Sequence, residues 1–201
     1  MTGKQTVDSQ LSAISAAPIT PRLLLHCCCA PCASYVLEYL SPFFDITALF
    51  FNPNIYPHEE YEKRALMLKL LLSKAKYPNN VELIIDDYND ASFLAMAAQL
   101  VSAPEGGTRC TGCFELRLGE TAKRAKTGGF DYFTTTLSVS PHKDAALLND
   151  LGGRLALKHG ITYLYSNFKK HDGYKRSVEL SKQYGLYRQS YCGCSSSRNS
   201  S

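Results

Sequence analysis

The sequence predicts an α/β fold in three layers, a parallel sheet of about five strands covered by helices on both faces. Two observations predict it. Five short apolar or β-branched runs recur along the chain, each too short to make a helix. Longer segments with apolar residues at helical spacing separate them, so strand and helix alternate. In such sheets functional groups collect beyond the carboxyl ends of the strands.

Arg22–Cys27 is the first strand, and Pro31 opens a helix to Leu40. Asp45–Phe51 is a buried strand closed by the turn residues Asn52-Pro53-Asn54. From Pro57 to Tyr77 a long helix places Tyr61, Ala65, Leu68, Leu72 and Ala75 on one face. Val81–Ile85 is the third strand. A weaker helix over Asp90–Leu100 is broken by Pro104-Glu105-Gly106-Gly107. The next helix runs from about Thr111 to Lys126 and stops at Gly128-Gly129. Asp131–Leu137 has the β-branched and aromatic content of a strand. Ser140-Pro141 reads as a cap and first-turn proline for a helix to about His159, weakened by Gly152-Gly153. Ile161–Tyr165 is the fifth strand, and a basic helix spans about Tyr174 to Tyr184.

One domain is expected over 21–195, with disordered tails at 1–20 and 196–201. Residues 1–17 lack the apolar core of a signal peptide, and no run approaches the ~18 apolar residues of a membrane span. A cytoplasmic location without membrane partners is the expectation. The formal charge of +4 says little by itself. Lys169 to Arg188, however, holds six Lys/Arg against two acids, a net charge equal to that of the whole chain. A polyanion-binding face needs such concentration.

Eight cysteines in such a chain point to metal ligation or redox chemistry rather than staples. They fall into Cys28-Cys29-Ala30-Pro31-Cys32, Cys110-Thr111-Gly112-Cys113 and Cys192-Gly193-Cys194, with Cys27 preceding the first group. A C-x-x-C at a helix N-terminus aligns two sulfurs and favours thiolate, the form that binds iron or zinc. Seven clustered thiols exceed the four that structural zinc needs, which favours a cluster plus a second metal or a redox pair. The spacings match neither common ferredoxin pattern. A C-x-C disulfide would be strained and easily reduced.

The stretches HCCCAPC (26–32), FFNPNIYPHEEYEKR (50–64), PEGGTRCTGCFELRLGETAKRA (104–125), FDYFTTTLSVSPHK (130–143) and GYKRSVELSKQYGLYRQSYCGC (173–194) closely resemble the QueH family of epoxyqueuosine reductases. The resemblance runs from Leu23 to about Cys194. It implies an adenine-nucleotide α-hydrolase-like (HUP-like) fold with a Cys-rich metal site at the carboxyl ends of the strands. It also implies a [4Fe–4S] cluster, a second mononuclear iron, and reduction of epoxyqueuosine in tRNA to queuosine, the last step of queuosine synthesis.

On that resemblance Cys28, Cys29, Cys110 and Cys113 hold the cluster. Cys32, Cys192 and Cys194 hold the second iron, or Cys192 and Cys194 cycle as a redox pair. An electron-deficient iron polarises the epoxide C–O bonds, and His142, Tyr132 or Tyr56 supplies a proton. Two departures stand out. Cysteines occupy the place of the phosphate loop that nucleotide-binding members of the fold carry after the first strand, so ATP use is not expected. Some family members carry aspartate where this chain has Cys32, so sulfur replaces oxygen there.

The expected partners are tRNA carrying epoxyqueuosine in its anticodon loop and a ferredoxin- or flavodoxin-like electron donor. Single-stranded loops are read by stacking and phosphate contacts. Lys143, Lys169, Lys170, Tyr174, Lys175, Arg176, Tyr187 and Arg188 form the expected tRNA face. Two other classes fit parts of the pattern: a zinc-stabilised tRNA-binding module, colourless and without sulfide, and an ATP-dependent tRNA thiolase, which needs the missing phosphate loop. The remaining polar residues read as structural: Cys27 as a small buried hydrophobe, His26 as a packed strand residue, His58, His159 and His171 as surface groups. Arg117 and Arg124 read as helix-surface charges, and Asp86-Asp87 as a capping turn without chemistry.

Overall fold

The computed structural model describes residues 7–100 and 102–198. Five strands, β1 (Arg22–His26), β2 (Asp45–Phe50), β3 (Val81–Ile85), β4 (Tyr132–Thr135) and β5 (Thr162–Tyr163), form one sheet in the order β3-β2-β1-β4-β5. Every pairing is parallel. Leu23, Leu24 and Leu25 of central β1 are all buried, because helices cover both faces and no residue can be spared for solvent. Strand alternation sends Leu23 and Leu25 to one layer and Leu24 to the other.

The first layer holds α1 (Val7–Ser15), α2 (Ala30–Leu40), α3 (His58–Lys74) and α7 (Gly173–Tyr184). The second holds α5 (Thr108–Thr127) and α6 (Ala145–His159). Two short helices, α4 (Ala91–Ala97) and α8 (Ser195–Arg198), complete the set. No helix among the described residues is long and apolar enough to cross a membrane. The strand order reverses between β1 and β4, and β1 leads directly into the first cysteine group. Such a reversal opens a crevice at the carboxyl ends.

Several elements differ from the sequence expectation. The disordered tail expected over 1–20 gives way over Val7–Ser15 to a helix whose Val7, Leu11 and Ile14 are buried. Gln10 on that helix donates to the Tyr163 carbonyl at 3.1 Å and accepts from the Tyr165 N–H at 2.8 Å. Its amide thereby closes the open edge of β5. Residues 1–6 lie outside the described residues. At the other end Ser195–Arg198 is helical, and 199–201 lie outside the described residues. Helix α5 starts at Thr108 rather than Thr111, which takes both cysteines of its C-x-x-C into the first two turns. Helix α6 starts at Ala145 rather than at Ser140-Pro141, because Asp144 Oδ1 accepts the N–H groups of Ala146 and Leu147 at 2.7 and 3.3 Å.

Gly152, read from sequence as a weakness, is a packing requirement. A Cβ there would overlap the Tyr163 ring, so α6 crosses β5 closely only with glycine. Gly152→Ala is expected to destabilise the fold by about 1–3 kcal/mol, the usual cost of overpacking, measured as a shift in urea unfolding midpoint.

Candidate metal centre

The first thiol group stands where β1 becomes α2. The Cys27 N–H closes the ladder on the Leu49 carbonyl at 2.8 Å. Cys29 is the extended N-cap of α2, and Cys32 lies in that helix's first turn. The Sγ atoms of Cys28, Cys29 and Cys32 lie within 4.8 Å of one another, with 3.7 Å between Cys28 and Cys29. Hydrogen bonds from Cys29 and Cys32 hold the Cys28 thiol well below its ordinary pKa, and Lys143 adds to the effect. Its bond to Cys28 pushes Cys29 up to about 11, and the bonds of Cys32 to Cys28 and Cys29 push Cys32 well above its ordinary value. The three sulfurs thus gather at a helix N-terminus, where the thiolate form is favoured.

The second group faces a cavity of about 150 Å³ whose lining includes Cys110, Cys113, Cys192 and Cys194. The Gly106 N–H donates to Cys110 Sγ at 3.2 Å. Cys113 and Cys194 are buried together against Phe93. Burial pushes the Cys113 thiol up to about 11, and the neighbouring Cys192 and Cys194 add to it although Arg117 opposes. All eight cysteines are free thiols.

Two cations tie the groups together. Arg117, expected on a helix surface, is only 2 % exposed. Its Nε donates to the Cys113 carbonyl at 3.2 Å and Nη1 to Asn52 Oδ1 at 3.5 Å, while buried Nη2 has no hydrogen-bond partner among the described residues. Burial works against its charge, but Cys113, Cys192 and Cys28 keep it protonated. Lys143 behaves alike: burial lowers it, and Cys192, Cys28 and Cys32 more than offset that. Among the described residues Arg117 makes no ion pair with a carboxylate, and the groups that offset its burial are the thiols of Cys113, Cys192 and Cys28. Seven thiols, two cations and an orphaned guanidinium donor suit an anionic metal–thiolate centre.

The other expectations sort as follows. His142 is exposed and lines the cavity wall. Tyr132 begins β4, at the end of the sheet away from the thiols, and packs edge-on against Phe44 at 5.5 Å, so it cannot serve there. The Tyr56 N–H donates to the Gly193 carbonyl at 2.8 Å, and its side chain is half exposed. Lys143, placed on the tRNA face, instead lines the cavity, and its carbonyl accepts from Lys169 Nζ at 2.6 Å. Arg176 is neutralised by Glu38 at 2.9 Å and Glu179 at 3.2 Å.

Lys170, Tyr174, Lys175 and Arg188 remain exposed, with Arg188 5.7 Å from the Tyr174 ring centre. Sequence reasoning missed Lys63, whose ammonium sits 3.5 Å over the Tyr187 ring. Asp86 makes a bidentate ion pair with half-buried Arg124, both contacts at 2.7 Å, rather than capping a helix. Cys27 is buried in the apolar core, and His58 and His171 are exposed, as expected. His159 is half-buried.

Comparison with known proteins gives the family. A family model described as epoxyqueuosine reductase QueH matches residues 23–200. Three relatives carry that same name. The Streptococcus pyogenes protein is 45% identical over 178 residues, covering 88% of this chain and 70% of the relative. The Staphylococcus aureus protein is 43% identical over 180 residues, with 88% and 75% covered. The Thermotoga maritima protein is 33% identical over 178 residues, with 86% and 88% covered.

His26, fully buried, is read as packed in both sequence and structure. Nε2–H donates to the Phe51 carbonyl at 3.1 Å, and Nδ1 accepts from the Thr135 hydroxyl at 2.9 Å. Burial, with Arg117 adding to it, pushes its pKa down to about 4. The unfolded chain, near 6.5, takes up the proton first, so stability present above pH 6.5 is lost as pH falls toward 4. Urea unfolding is expected to lose about 2 kcal/mol between pH 7 and pH 5 from this residue, a slope absent in His26→Gln.

Proposed function

The chain belongs to the QueH family of epoxyqueuosine reductases, and from that membership we infer that it reduces the epoxide of epoxyqueuosine in tRNA to give queuosine. The observation that carries the reading is that Cys28, Cys29 and Cys32 lie within 4.8 Å of one another while Cys110, Cys113, Cys192 and Cys194 line one cavity with Arg117 and Lys143. The strand order supports a place in the adenine-nucleotide α-hydrolase-like group, with Cys28 and Cys29 standing where a phosphate loop would follow β1. The protein works in the cytoplasm and takes electrons from a ferredoxin- or flavodoxin-like donor.

Cys28, Cys29, Cys110 and Cys113 would hold a [4Fe–4S] cluster. Cys32, Cys192 and Cys194 would hold a second iron, or Cys192 and Cys194 would serve as a redox pair. Bound there, the iron centre supplies single electrons and Lewis acidity. Removing the epoxide oxygen as water takes two electrons and two protons. Arg117 and Lys143 offset the negative charge of the thiolates, which keeps the centre compatible with a buried wall. His142 stands at the cavity wall where its imidazole can hand a proton to the departing oxygen and recover it from solvent. Tyr56 remains the second proton source.

The closeness of Cys28, Cys29 and Cys32 favours a second allotment, in which these three hold one metal and Cys110, Cys113, Cys192 and Cys194 hold the cluster. Anaerobic purification with iron, zinc and sulfide assays is expected to give brown protein with about four sulfides per chain. Cys113→Ala loses that sulfide and the activity under either allotment; a fully active, colourless variant overturns the reading. Cys28→Ala loses sulfide under the first allotment and keeps it under the second.

The tRNA face comprises Lys170, Tyr174, Lys175, Tyr187 and Arg188, joined by Lys63, with Lys169 at its edge. Charge reversal at Lys175 and Arg188 is expected to weaken tRNA binding and to reduce the salt slope by about one for each phosphate that is no longer neutralised. Unchanged binding in a filter or anisotropy titration removes this face. Arg176 is a poor test position, because its reversal also breaks the Glu38 pair.

A further inference from the structure

The geometry points to Arg64 as the positioning residue that clamps the Cys192-Gly193-Cys194 loop against the thiol centre, with Gly193 as the other half of the clamp. The inference deepens the reading above and rests on that loop belonging to the reductase centre. Arg64 lies in the second turn of α3 and is 2 % exposed. Glu60 holds its Nε at 2.7 Å and so fixes the plane of the guanidinium. From that plane Nη1 donates to the Cys192 carbonyl at 3.0 Å.

Gly193 has φ +116, a conformation that L side chains rarely adopt. A Cβ there would lie 2.9 Å from Nη1 and 3.2 Å from Cζ and Nη2 of Arg64. The loop is therefore pressed flat on the guanidinium. The Tyr56 N–H holds the next carbonyl, that of Gly193, at 2.8 Å. With consecutive carbonyls held by α3 and the segment before it, Cys192 and Cys194 both reach the cavity wall that Cys110 and Cys113 share. The loop contains no helix or strand of its own, so these contacts, with the Ser197 N–H and hydroxyl that donate to the Cys194 carbonyl at 3.1 and 2.9 Å, set where its sulfurs stand. Lysine cannot replace arginine here, because a single ammonium has no fixed fork to hold a carboxylate and a carbonyl in one plane.

The experiment is iodoacetamide alkylation of the anaerobic holoprotein, resolved by cysteine with mass spectrometry. Arg64→Ala is expected to raise the alkylation rates of Cys192 and Cys194 by roughly tenfold, the factor that loss of a charge-assisted hydrogen bond gives, while Cys113 stays protected. Millimolar guanidinium chloride restores protection in that variant, and Arg64→Lys does not. Gly193→Ala reproduces the exposure with Arg64 intact and decides the matter if Arg64→Ala does not fold. Unchanged rates at Cys192 and Cys194, or an equal rise at all cysteines, overturns the clamp. Because alkylation is read without turnover, a wild-type protein inactive on epoxyqueuosine tRNA would sink the functional reading alone.

Discussion

The structure depends on burying positive charge and sulfur together. A guanidinium taken out of water without a partner costs several kcal/mol, and Arg117 is fully buried without a carboxylate partner among the described residues. Two things offset that cost: its hydrogen bonds to the Cys113 carbonyl and Asn52 Oδ1, and the thiols of Cys113, Cys192 and Cys28. The thiols need the cation as much, since burial raises the Cys113 thiol and Arg117 pulls it back. Lys143 repeats the logic beside Cys192, Cys28 and Cys32. Removing either sign would leave the other stranded in a poorly solvated wall.

The fold makes that meeting possible with few parts. A parallel sheet sends every strand's carboxyl end to one edge, and the reversal between β1 and β4 opens the crevice there. Helices α2 and α5 start at that edge, with Cys29 at the N-cap of α2 and Cys32 and Cys110 in the first turns, where the helix dipole favours thiolate. The third group comes from the chain's far end, in a loop with no regular structure, and α3 receives it through Arg64.

Much of the scaffold was legible because its signals are local. Apolar runs of strand length, helical spacing and glycine stops lie within a few residues of what they specify. The errors came where two local patterns competed. Ser140-Pro141 has the form of a helix start, but Ser140 Oγ reaches only the His142 N–H at 3.4 Å, whereas Asp144 meets two N–H groups. The fifth run has five residues of strand character, yet only Thr162 and Tyr163 pair with β4; at Leu164 the N–H still donates to the Phe133 carbonyl, but its carbonyl accepts from the Thr134 hydroxyl rather than from backbone. Arg117 was misread because a charge within a polar helix pattern ordinarily faces water.

The alternation of strand and helix, the thiol inventory and the three groups in which the thiols lie follow from composition and short-range spacing. Long-range packing alone sets which sulfurs are neighbours, puts Cys32 with Cys28 and Cys29, and buries Arg64 against the Cys192 carbonyl and Arg117 against Asn52. Those facts rest on contacts such as Arg117 with Asn52, 65 positions apart, and Arg64 with Cys192, 128 apart. No local spacing encodes such pairs; they exist because the sheet's crossovers and the packing of two helical layers bring distant backbone to one edge.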